Sequence, residues 1–411
     1  MATLPAIASD QKVTTTASED DHILEIYGNA NEDDTIDMRD ITYTARIILW
    51  MEEPTDLADA NHDGRITARD MTQIGLIILG RESELTLVDS AGRIVTVSMP
   101  VERMVAFTGE PVEAMRTLKA ADKIVGVDRY TIANTAFFPE FSDYPGVGWI
   151  MAPDIEKAIY LNPDIAVLYA AYDYPEIQDG LEAVGVTVIR LDLFSQSTYT
   201  DEIRKLGYIF KKEEEASEFI DWQEGWMDTI ESKIEGISDD ERPDVYFEVW
   251  KPYYPAGTGN VWHESLVIAG GNNIFSDFTG YTAEISGEDV AFRNPEFIVR
   301  DPGWFASGGY DTDDPTAYKD VRDEIMGRPV LANVTAVENE NVYMLASDLL
   351  DGPRAAAGIA YMAKWFHPVR CGDLEPQVIH QEYVTTFQGL DFDVESHGVF
   401  VYHPVQHPDG H

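Results

Sequence analysis

Two stretches near the N-terminus carry oxygen-bearing side chains at a spacing that suits a calcium ion. A hard cation of this kind takes about six to eight oxygen ligands, and a twelve-residue loop can supply them from positions 1, 3, 5, 7 and 12. In the first stretch these positions hold Asn29, Asn31, Asp33, Thr35 through its carbonyl, and Asp40. In the second they hold Asp59, Asn61, Asp63, Arg65 through its carbonyl, and Asp70. The spacing predicts two calcium ions, one in each loop.

Each loop is followed by an apolar helix, so residues 23–81 form a tandem repeat. Gly64 stands at position six of the second loop, where the chain turns sharply. Asp34 takes that position in the first loop, and we expect it to tolerate a positive φ there. Aspartate closes both loops, whereas an EF-hand ends on a bidentate glutamate.

This duplicated loop-and-helix layout, with aspartate at position twelve, resembles a dockerin module. The resemblance implies calcium binding and a cohesin-like domain as a candidate partner. Positions ten and eleven are Met38-Arg39 and Ala68-Arg69, unlike the Ser-Thr pairs common in dockerins. An intramolecular structural role is therefore kept as the alternative to cohesin binding.

The charge of the chain argues against two classes of partner. The 411 residues include 29 Lys and Arg against 74 Asp and Glu, which leaves a formal net charge of −45. Such a surface repels nucleic acid and anionic membranes. Cys371 is the single cysteine, which excludes an intrachain disulfide. No apolar run approaches the roughly 18 residues of a membrane-spanning helix.

The first 22 residues are polar, and we expect them to be disordered. They lack the basic start and the apolar core of a signal peptide. We expect an extracellular or cell-surface protein from which the signal peptide has been removed.

Short apolar strands alternate with helical patterns over most of the remaining chain, which predicts βα units around parallel sheets. One long apolar-striped helix interrupts this alternation. The predicted fold class is α/β, with two Rossmann-like lobes joined by one long helix and preceded by a small all-α, EF-hand-like domain. The expected segments are a disordered N-terminal segment (1–22), the dockerin-like domain (23–81), lobe 1 (85–212), the connecting helix (213–237), lobe 2 (243–370) and a C-terminal extension (371–411).

Five segments follow one another in residues 85–370, around the long helix: RIVTVSMPVERMVAFTGEPVEAMRTLKAADKIVGVD, PDIEKAIYLNPDIAVLY, LEAVGVTVIRLD, ESLVIAGGNNIF and ISGEDVAFRNPEFIV. Their order resembles that of the class III, or helical-backbone, solute-binding proteins of ABC importers. The chain is similar to this family, which serves iron-siderophores, haem and cobalamin. The resemblance implies a binding protein without catalysis that delivers a small metal chelate to a permease dimer.

Members of that family dock onto arginine pockets of the permease through one exposed glutamate on each lobe. The matching positions are Glu156 in DIEKAIYLNPD and Glu288 in ISGEDVAFRNPE. Two carboxylates at the lobe tips can grip two basic sites through charge-assisted hydrogen bonds. The simpler alternative is a surface glutamate favoured by the helix dipole, and the residues alone leave both interpretations open.

The ligand is expected between the lobes, where strand ends and loops face one another. Aromatic faces there suit a flat or greasy chelate, and an arginine can hold a carboxylate or phosphate. Trp149 and Tyr253 are the preferred pair, although core packing explains each aromatic equally well. The full candidate set is Tyr130, Trp149, Trp250, Tyr253, Tyr254, Trp262, Trp304, Tyr310 and Arg354.

Two other classes of function compete with transport. A nitrogenase-type metalloenzyme would need cysteines for its clusters, and Cys371 stands alone. The stronger alternative is a cell-surface assembly or adhesion protein that uses the dockerin-like module and keeps a degenerate cleft. The C-terminal HPVQHPDGH is typical of a disordered tail, with weak metal binding as the lesser alternative.

Overall fold

The computed structural model describes residues 23–279, 284–303, 306–350 and 352–411. It divides the chain into two compact units, Met1–Leu79 and Gly80–His411. The expectation of disorder for residues 1–22 lies outside the described residues.

The N-terminal unit contains two matching helices, α1 (Met38–Ile48) and α2 (Ala68–Ile78). Each begins with a capping box, in which the N-cap side chain and the side chain at the third helical position accept each other's backbone N–H. Asp40 and Asp70 occupy that third position. The residue that closes each predicted calcium loop therefore also fixes the start of the following helix.

Among the described residues, the strands named below and the remaining α-helices lie in the second unit. Its strands are β1 (Glu84–Val88), β2 (Ile94–Ser98), β3 (Met104–Ala106), β4 (Ile124–Gly126), β5 (Gly148–Trp149), β6 (Ala152–Pro153), β7 (Ile165–Leu168), β8 (Thr187–Arg190), β9 (Asp244–Val249), β10 (Asn272–Asn273), β11 (Phe297–Asp301), β12 (Val342–Leu345) and β13 (Val401–Tyr402). Its helices are α3 (Gly109–Thr117), α4 (Arg129–Ala133), α5 (Ile155–Tyr160), α6 (Pro175–Glu182), α7 (Tyr199–Phe210), α8 (Glu213–Ile234), α9 (Val261–Ile268), α10 (Gly287–Arg293), α11 (Thr316–Met326), α12 (Thr335–Glu338), α13 (Ala355–Phe366) and α14 (Pro376–Glu382).

Two separate sheets form the two lobes. Lobe 1 has the parallel order β4-β3-β7-β8, and lobe 2 has the order β10-β9-β11-β12-β13. All of lobe 2 is parallel except β13, which runs antiparallel to β12. All four residues of β7 are buried, as expected for strands covered by helices on both faces. The predicted α/β class with two parallel-sheet lobes is confirmed.

The long helix α8 joins the lobes over 22 residues, a length of about 33 Å at 1.5 Å per residue. Three glutamates occupy its first turn and Lys233 its last, an arrangement that complements the helix dipole. It ends at Ile234 rather than at the expected residue 237, because Gly236 adopts a left-handed φ of 74°. Within the described ranges no helix combines the length and apolarity needed to cross a membrane.

The expectation of a disordered C-terminal tail is wrong. β13 pairs with β12, which brings the tail onto lobe 2. The buried His403 ring stacks on Tyr343 with centroids 4.6 Å apart, and Trp365 donates to His407 at 3.2 Å. These histidines are part of the packing of the lobe.

Candidate functional site

The first predicted calcium loop is closed by hydrogen bonds from its own backbone. Asp40 is fully buried, and its carboxylate accepts from the N–H groups of Asn31 (3.2 Å) and Asp37 (2.7 Å). Burial raises the pKa of Asp40 to about 6, because a charged carboxylate is unfavourable away from water. A cation bound beside it would offset that penalty.

Asn29 supplies the clearest sign of a cation ligand. Its amide nitrogen donates to the carbonyls of Leu24 (2.8 Å) and Asp33 (2.5 Å). Its Oδ1 atom is buried without a hydrogen-bond partner. An unsatisfied buried oxygen is destabilising, and coordination to calcium would satisfy it.

The second loop has the same backbone closure. Asp59 accepts from the N–H groups of Asp63 (3.1 Å) and Gly64 (2.7 Å). Buried Asp70 accepts from Asn61 (3.2 Å) and also from the N-cap residue of α2. The two loops therefore present their predicted oxygen ligands in matching frames.

The loops differ from the expected backbone at one position. Gly64 has a φ of +85°, but Asp34 does not adopt the left-handed conformation predicted for it. Glu32 (57°) and His62 (52°) both take left-handed φ values at position four of their loops. Position six is left-handed in the second loop but not in the first, so the first loop does not need glycine there.

Across the described part of the chain, no three His, Cys, Asp or Glu side chains converge as a preformed metal site. The first ligand set contains only two carboxylates, Asp33 and Asp40. In the second set the carboxylates are turned toward backbone N–H groups. The loops fit calcium through the types of their donors and the buried oxygens of Asn29 and Asp40.

At the carboxyl end of the lobe-1 sheet, the structure brings Tyr130 and Trp149 together. Their rings are 5.4 Å apart and nearly perpendicular. The Arg129 guanidinium lies 4.7 Å from the Tyr130 ring centroid and 5.3 Å from that of Trp149, within cation–π range. Arg129 was missed in the sequence because only its spatial neighbours distinguish it from other arginines.

The loop after β7 carries three more aromatic residues, Tyr169, Tyr172 and Tyr174, of which Tyr169 and Tyr174 pack against the core of lobe 1. Arg190 donates to the carbonyls of Tyr169 (3.1 Å) and Tyr172. Asp192 accepts two further backbone N–H groups of the loop, at 2.8 and 2.9 Å. These bonds fix the loop, so its aromatic side chains stand on a preorganised frame.

Glu110 adds a carboxyl group to the same region. It lies in the first turn of α3, beside Thr108 and Tyr169, and its Oε2 atom is buried without a hydrogen-bond partner. Burial raises the pKa of Glu110, although hydrogen bonds from Thr108 and Tyr169 act to lower that pKa. Nothing in its local pattern distinguishes Glu110 from the other acidic residues among the 74 of the chain.

The lobe-2 wall begins at Trp250, directly after β9. Its ring lies 5.1 Å from Trp262 at 87° and packs against Gly303, where a Cβ would approach its Cδ1 to 2.9 Å. Trp262 is only 4% exposed, so it supports Trp250 from behind. Lys251 lies 4.2 Å from the ring centroid of Tyr254. The predicted Trp304 lies outside the described residues.

Tyr253 does not line the cleft as predicted. Trp250 and Tyr253 both adopt left-handed φ values, near 60°, which reverse the chain after β9. The Tyr253 ring packs against Gly287 at the start of α10, where an added Cβ would come within 2.9 Å of it. The Arg328 guanidinium covers its face at 4.7 Å. Tyr253 thus supports the helix that carries Glu288.

Arg354 and Tyr310 are also committed elsewhere. Arg354 is buried and donates to Glu113 of lobe 1 at 3.0 Å, and its Nε lies 2.9 Å from the other carboxylate oxygen. The Tyr310 hydroxyl bonds His380 at 2.5 Å, and its ring lies 4.6 Å from Phe137 of lobe 1. Both predicted ligand contacts are therefore corrected to contacts between the lobes. Arg354 also lies 3.4 Å from Asp348, but Glu113 and His380 are both remote in sequence from the residues that they contact.

A cavity of about 600 Å³ lies in the C-terminal extension rather than between the aromatic walls. All of its lining residues fall within residues 375–395. None of them was predicted to bind ligand. We favour the aromatic walls as the candidate site, because ligands of α/β folds bind outside the carboxyl ends of parallel strands, and both walls follow such strand ends.

Residues 104–349 match the model of the periplasmic binding protein family, over more than half of the chain. The chain belongs to the periplasmic binding protein family. Residues 27–76 match the dockerin type I domain. Both resemblances drawn from the sequence are confirmed.

The relatives of this periplasmic binding protein are distant. It is 25% identical over 291 residues to the uncharacterized ABC transporter substrate-binding lipoprotein YvrC of Bacillus subtilis, covering 69% of this chain and 86% of YvrC. It is 24% identical over 210 residues to the vitamin B12-binding protein of Salmonella paratyphi A, and this match covers 51% of this chain and 72% of the relative. It shares its fold with the TroA-like periplasmic binding protein FepB from Veillonella parvula, with a TM-score of 0.65 and 22% sequence identity. The superposition covers 77% of this chain and 99% of FepB.

The two predicted docking glutamates of this periplasmic binding protein occupy equivalent places. Glu156 lies in the first turn of α5, before β7 of lobe 1. Glu288 lies in the first turn of α10, before β11 of lobe 2. Both side chains are exposed, so both carboxylates are available to a partner.

The C-terminal extension of this periplasmic binding protein begins after the family match ends and contacts both lobes. Gln388 donates to Thr117 of α3 at 2.9 Å and accepts from Arg116 at 2.8 Å. The Tyr383 hydroxyl donates to Glu113 at 2.6 Å, while β13 extends the lobe-2 sheet. The extension therefore connects the lobes in addition to α8.

Proposed function

We propose that this protein is an extracellular or cell-surface solute-binding protein that captures a small metal chelate between its lobes and delivers it to an ABC importer. The observation that carries the proposal is the pair of aromatic walls at the carboxyl ends of the two sheets, formed by Tyr130 with Trp149 in lobe 1 and by Trp250 with Trp262 in lobe 2. Such walls suit the flat or apolar surface of an iron-siderophore, a haem or a corrinoid.

The charges on the walls narrow the class of chelate. Because Arg354 is paired with Glu113, it is not available to a ligand anion. Arg129 provides a cation beside the rings, and Glu110 provides a buried oxygen acceptor. This balance favours a nearly neutral chelate with peripheral amide or hydroxyl donors over a multiply charged anion.

A ligand panel tests the proposal. We expect thermal shift and native mass spectrometry to detect binding of a neutral chelate such as cyanocobalamin or ferrichrome, and weaker or no binding of triply anionic ferric enterobactin. Trp149→Ala is expected to weaken that binding about tenfold, equivalent to about 1.4 kcal/mol. Trp226→Ala is the matched control, since its indole contacts Glu382 of α14 rather than the cleft.

Failure of every chelate in the panel would contradict the transport proposal. It would favour the alternative, an assembly or adhesion protein that uses the dockerin domain and has a degenerate cleft. Direct contacts between the lobes support this alternative. The ring centroids of Phe137 and Tyr310, for example, lie 4.6 Å apart.

We also propose that the dockerin domain binds two calcium ions, one in each loop. Free calcium at about 100 times Kd would stabilise one site by about 2.7 kcal/mol. EDTA is therefore expected to lower the melting temperature of the N-terminal unit in calorimetry of the full chain and to leave the two-lobed unit unchanged. Asp40→Ala/Asp70→Ala should abolish the EDTA effect, whereas Asp34→Ala, at a position that is not a ligand, should preserve it. An EDTA-insensitive melt of the unaltered protein would exclude metal from the loops.

A cohesin-like domain is the partner proposed for the dockerin domain. Met38 and Arg69, at adhesive positions ten and eleven, are both exposed. Arg39 forms close ion pairs with Asp33 (3.1 Å) and Asp37 (2.9 Å) within its own repeat, whereas Arg69 has a longer one with Asp63 (3.9 Å). The second repeat is therefore the better candidate for contact with a partner.

A further inference from the structure

Two exposed aromatic side chains occupy equivalent places on the two lobes. Tyr160 ends α5 and is 85% exposed, and Phe292 lies near the end of α10 and is 91% exposed. Each follows a proposed docking residue, Glu156 or Glu288, by four positions. Residues four apart share one face of a helix. Each lobe therefore presents a carboxylate and an aromatic ring together.

The equivalence extends through the surrounding backbone. The N-cap side chains Asp154 and Ser286 each accept the backbone N–H three residues further on, at 3.0 and 3.2 Å. Six residues after each glutamate, Asn162 (φ 48°) and Asn294 (φ 47°) adopt the left-handed conformation before a proline. Three residues after each asparagine a strand begins, β7 in lobe 1 and β11 in lobe 2. The two rings therefore occupy the same position of one repeated structural unit.

Core packing does not explain these rings. Single exposed aromatics are ordinary, but here the same exposure recurs at both equivalent positions. Large aromatic residues are enriched among the side chains that dominate protein–protein binding. The net charge of −45 opposes approach to an anionic membrane surface. Binding to a protein embedded in such a membrane therefore depends on short-range contacts.

We infer that Tyr160 and Phe292 are aromatic anchors that insert into two equivalent apolar sockets of an ABC importer's membrane-spanning dimer. Each socket lies beside the cationic group that receives Glu156 or Glu288. This inference rests on the proposed transport function. Each lobe presents one carboxylate and one ring, so the protein carries this pair twice. A partner that repeats the same binding surface twice, as a dimer does, can receive both pairs.

The test has two stages and uses the full chain. A photoreactive benzoylphenylalanine at position 160 or 292 is expected to crosslink, in intact cells, to the same membrane-spanning subunit of an ABC importer. The control position is Val369, which is 97% exposed on the same unit. That importer is then purified in nanodiscs, and its affinity for the protein is measured.

Either single substitution, Tyr160→Ala or Phe292→Ala, is expected to weaken importer binding about tenfold, and the double variant about 100-fold. The loss should persist at high salt, whereas the loss caused by removing the glutamates should shrink. Chelate affinity and melting temperature should not change, and Val369→Ala should bind normally.

Several outcomes would overturn the inference. One is an unaltered affinity of the double aromatic variant while the double glutamate variant binds poorly. Crosslinking to a second copy of the chain, with a dimer that the double variant loses, would assign the rings to self-association. If the glutamate variant also binds normally, the docking proposal itself fails.

Discussion

Replacing Arg354 with methionine is expected to lower the free energy of unfolding of the two-lobed unit by about 3–5 kcal/mol, because breaking a buried ion pair leaves an uncompensated charge. Glu113 is itself buried, and it would retain only the Tyr383 hydroxyl at 2.6 Å. Methionine keeps most of the apolar volume that packs on the Phe137 ring, so the loss reports mainly the charge. Urea unfolding followed by tryptophan fluorescence measures it, since seven of the eight tryptophans lie beyond Leu79.

Two comparisons make this prediction specific. Arg354→Met/Glu113→Gln removes both charges and should recover most of the lost stability. Lys319→Met breaks an exposed pair with Asp323 (2.6 Å) and should leave the unfolding curve unchanged. A loss below about 1 kcal/mol for Arg354→Met would show that this pair behaves as a surface salt bridge.

Arg354 also shows where prediction from sequence stops. Its role follows from Glu113, which lies 241 residues away along the chain. Nothing in the local pattern around an arginine before a helix reports a partner at that separation. Tyr310 is a similar case, because its hydroxyl partner His380 belongs to the C-terminal extension.

Features set by local spacing were predictable. The loop-and-helix repeat and the alternation of strands with helices depend on residues within a few positions of one another. The same reasoning placed Tyr130 and Trp149 at strand ends, and the structure brings their rings together. It misplaced Tyr253 because left-handed backbone at two aromatic residues reverses the chain, a conformation that residue type does not indicate.

The C-terminal tail illustrates a third limit. HPVQHPDGH is rich in residues that favour turns, and its order comes from β13, which is only two residues long. So short a strand carries almost no periodic signal. Its stability depends on pairing with β12 and on ring contacts such as His403 with Tyr343.

Replacing both docking glutamates, as Glu156→Ala/Glu288→Ala, is expected to weaken binding of the loaded protein to the importer about 100-fold and to abolish uptake at ordinary protein concentrations. Each exposed carboxylate is proposed to accept charge-assisted hydrogen bonds worth about 1.5 kcal/mol, the low end of the range for charged groups, and about 3 kcal/mol for the two corresponds to a change on the order of 100-fold. Uptake of the chelate selected by the ligand panel measures the effect in cells. Chelate affinity should remain within about twofold, because neither side chain belongs to the aromatic walls.

The matched control removes two other exposed acidic residues from helix first turns, Glu176 of α6 and Glu338 of α12. Glu176→Ala/Glu338→Ala makes the same change in net charge, one residue on each lobe, and leaves the residues of both proposed docking helices unaltered. Normal uptake by this control, together with the loss in the docking variant, would assign the effect to position rather than to charge. Equal loss in both variants would mean that the acidic surface as a whole governs the encounter, and Glu156 and Glu288 would then have no special role.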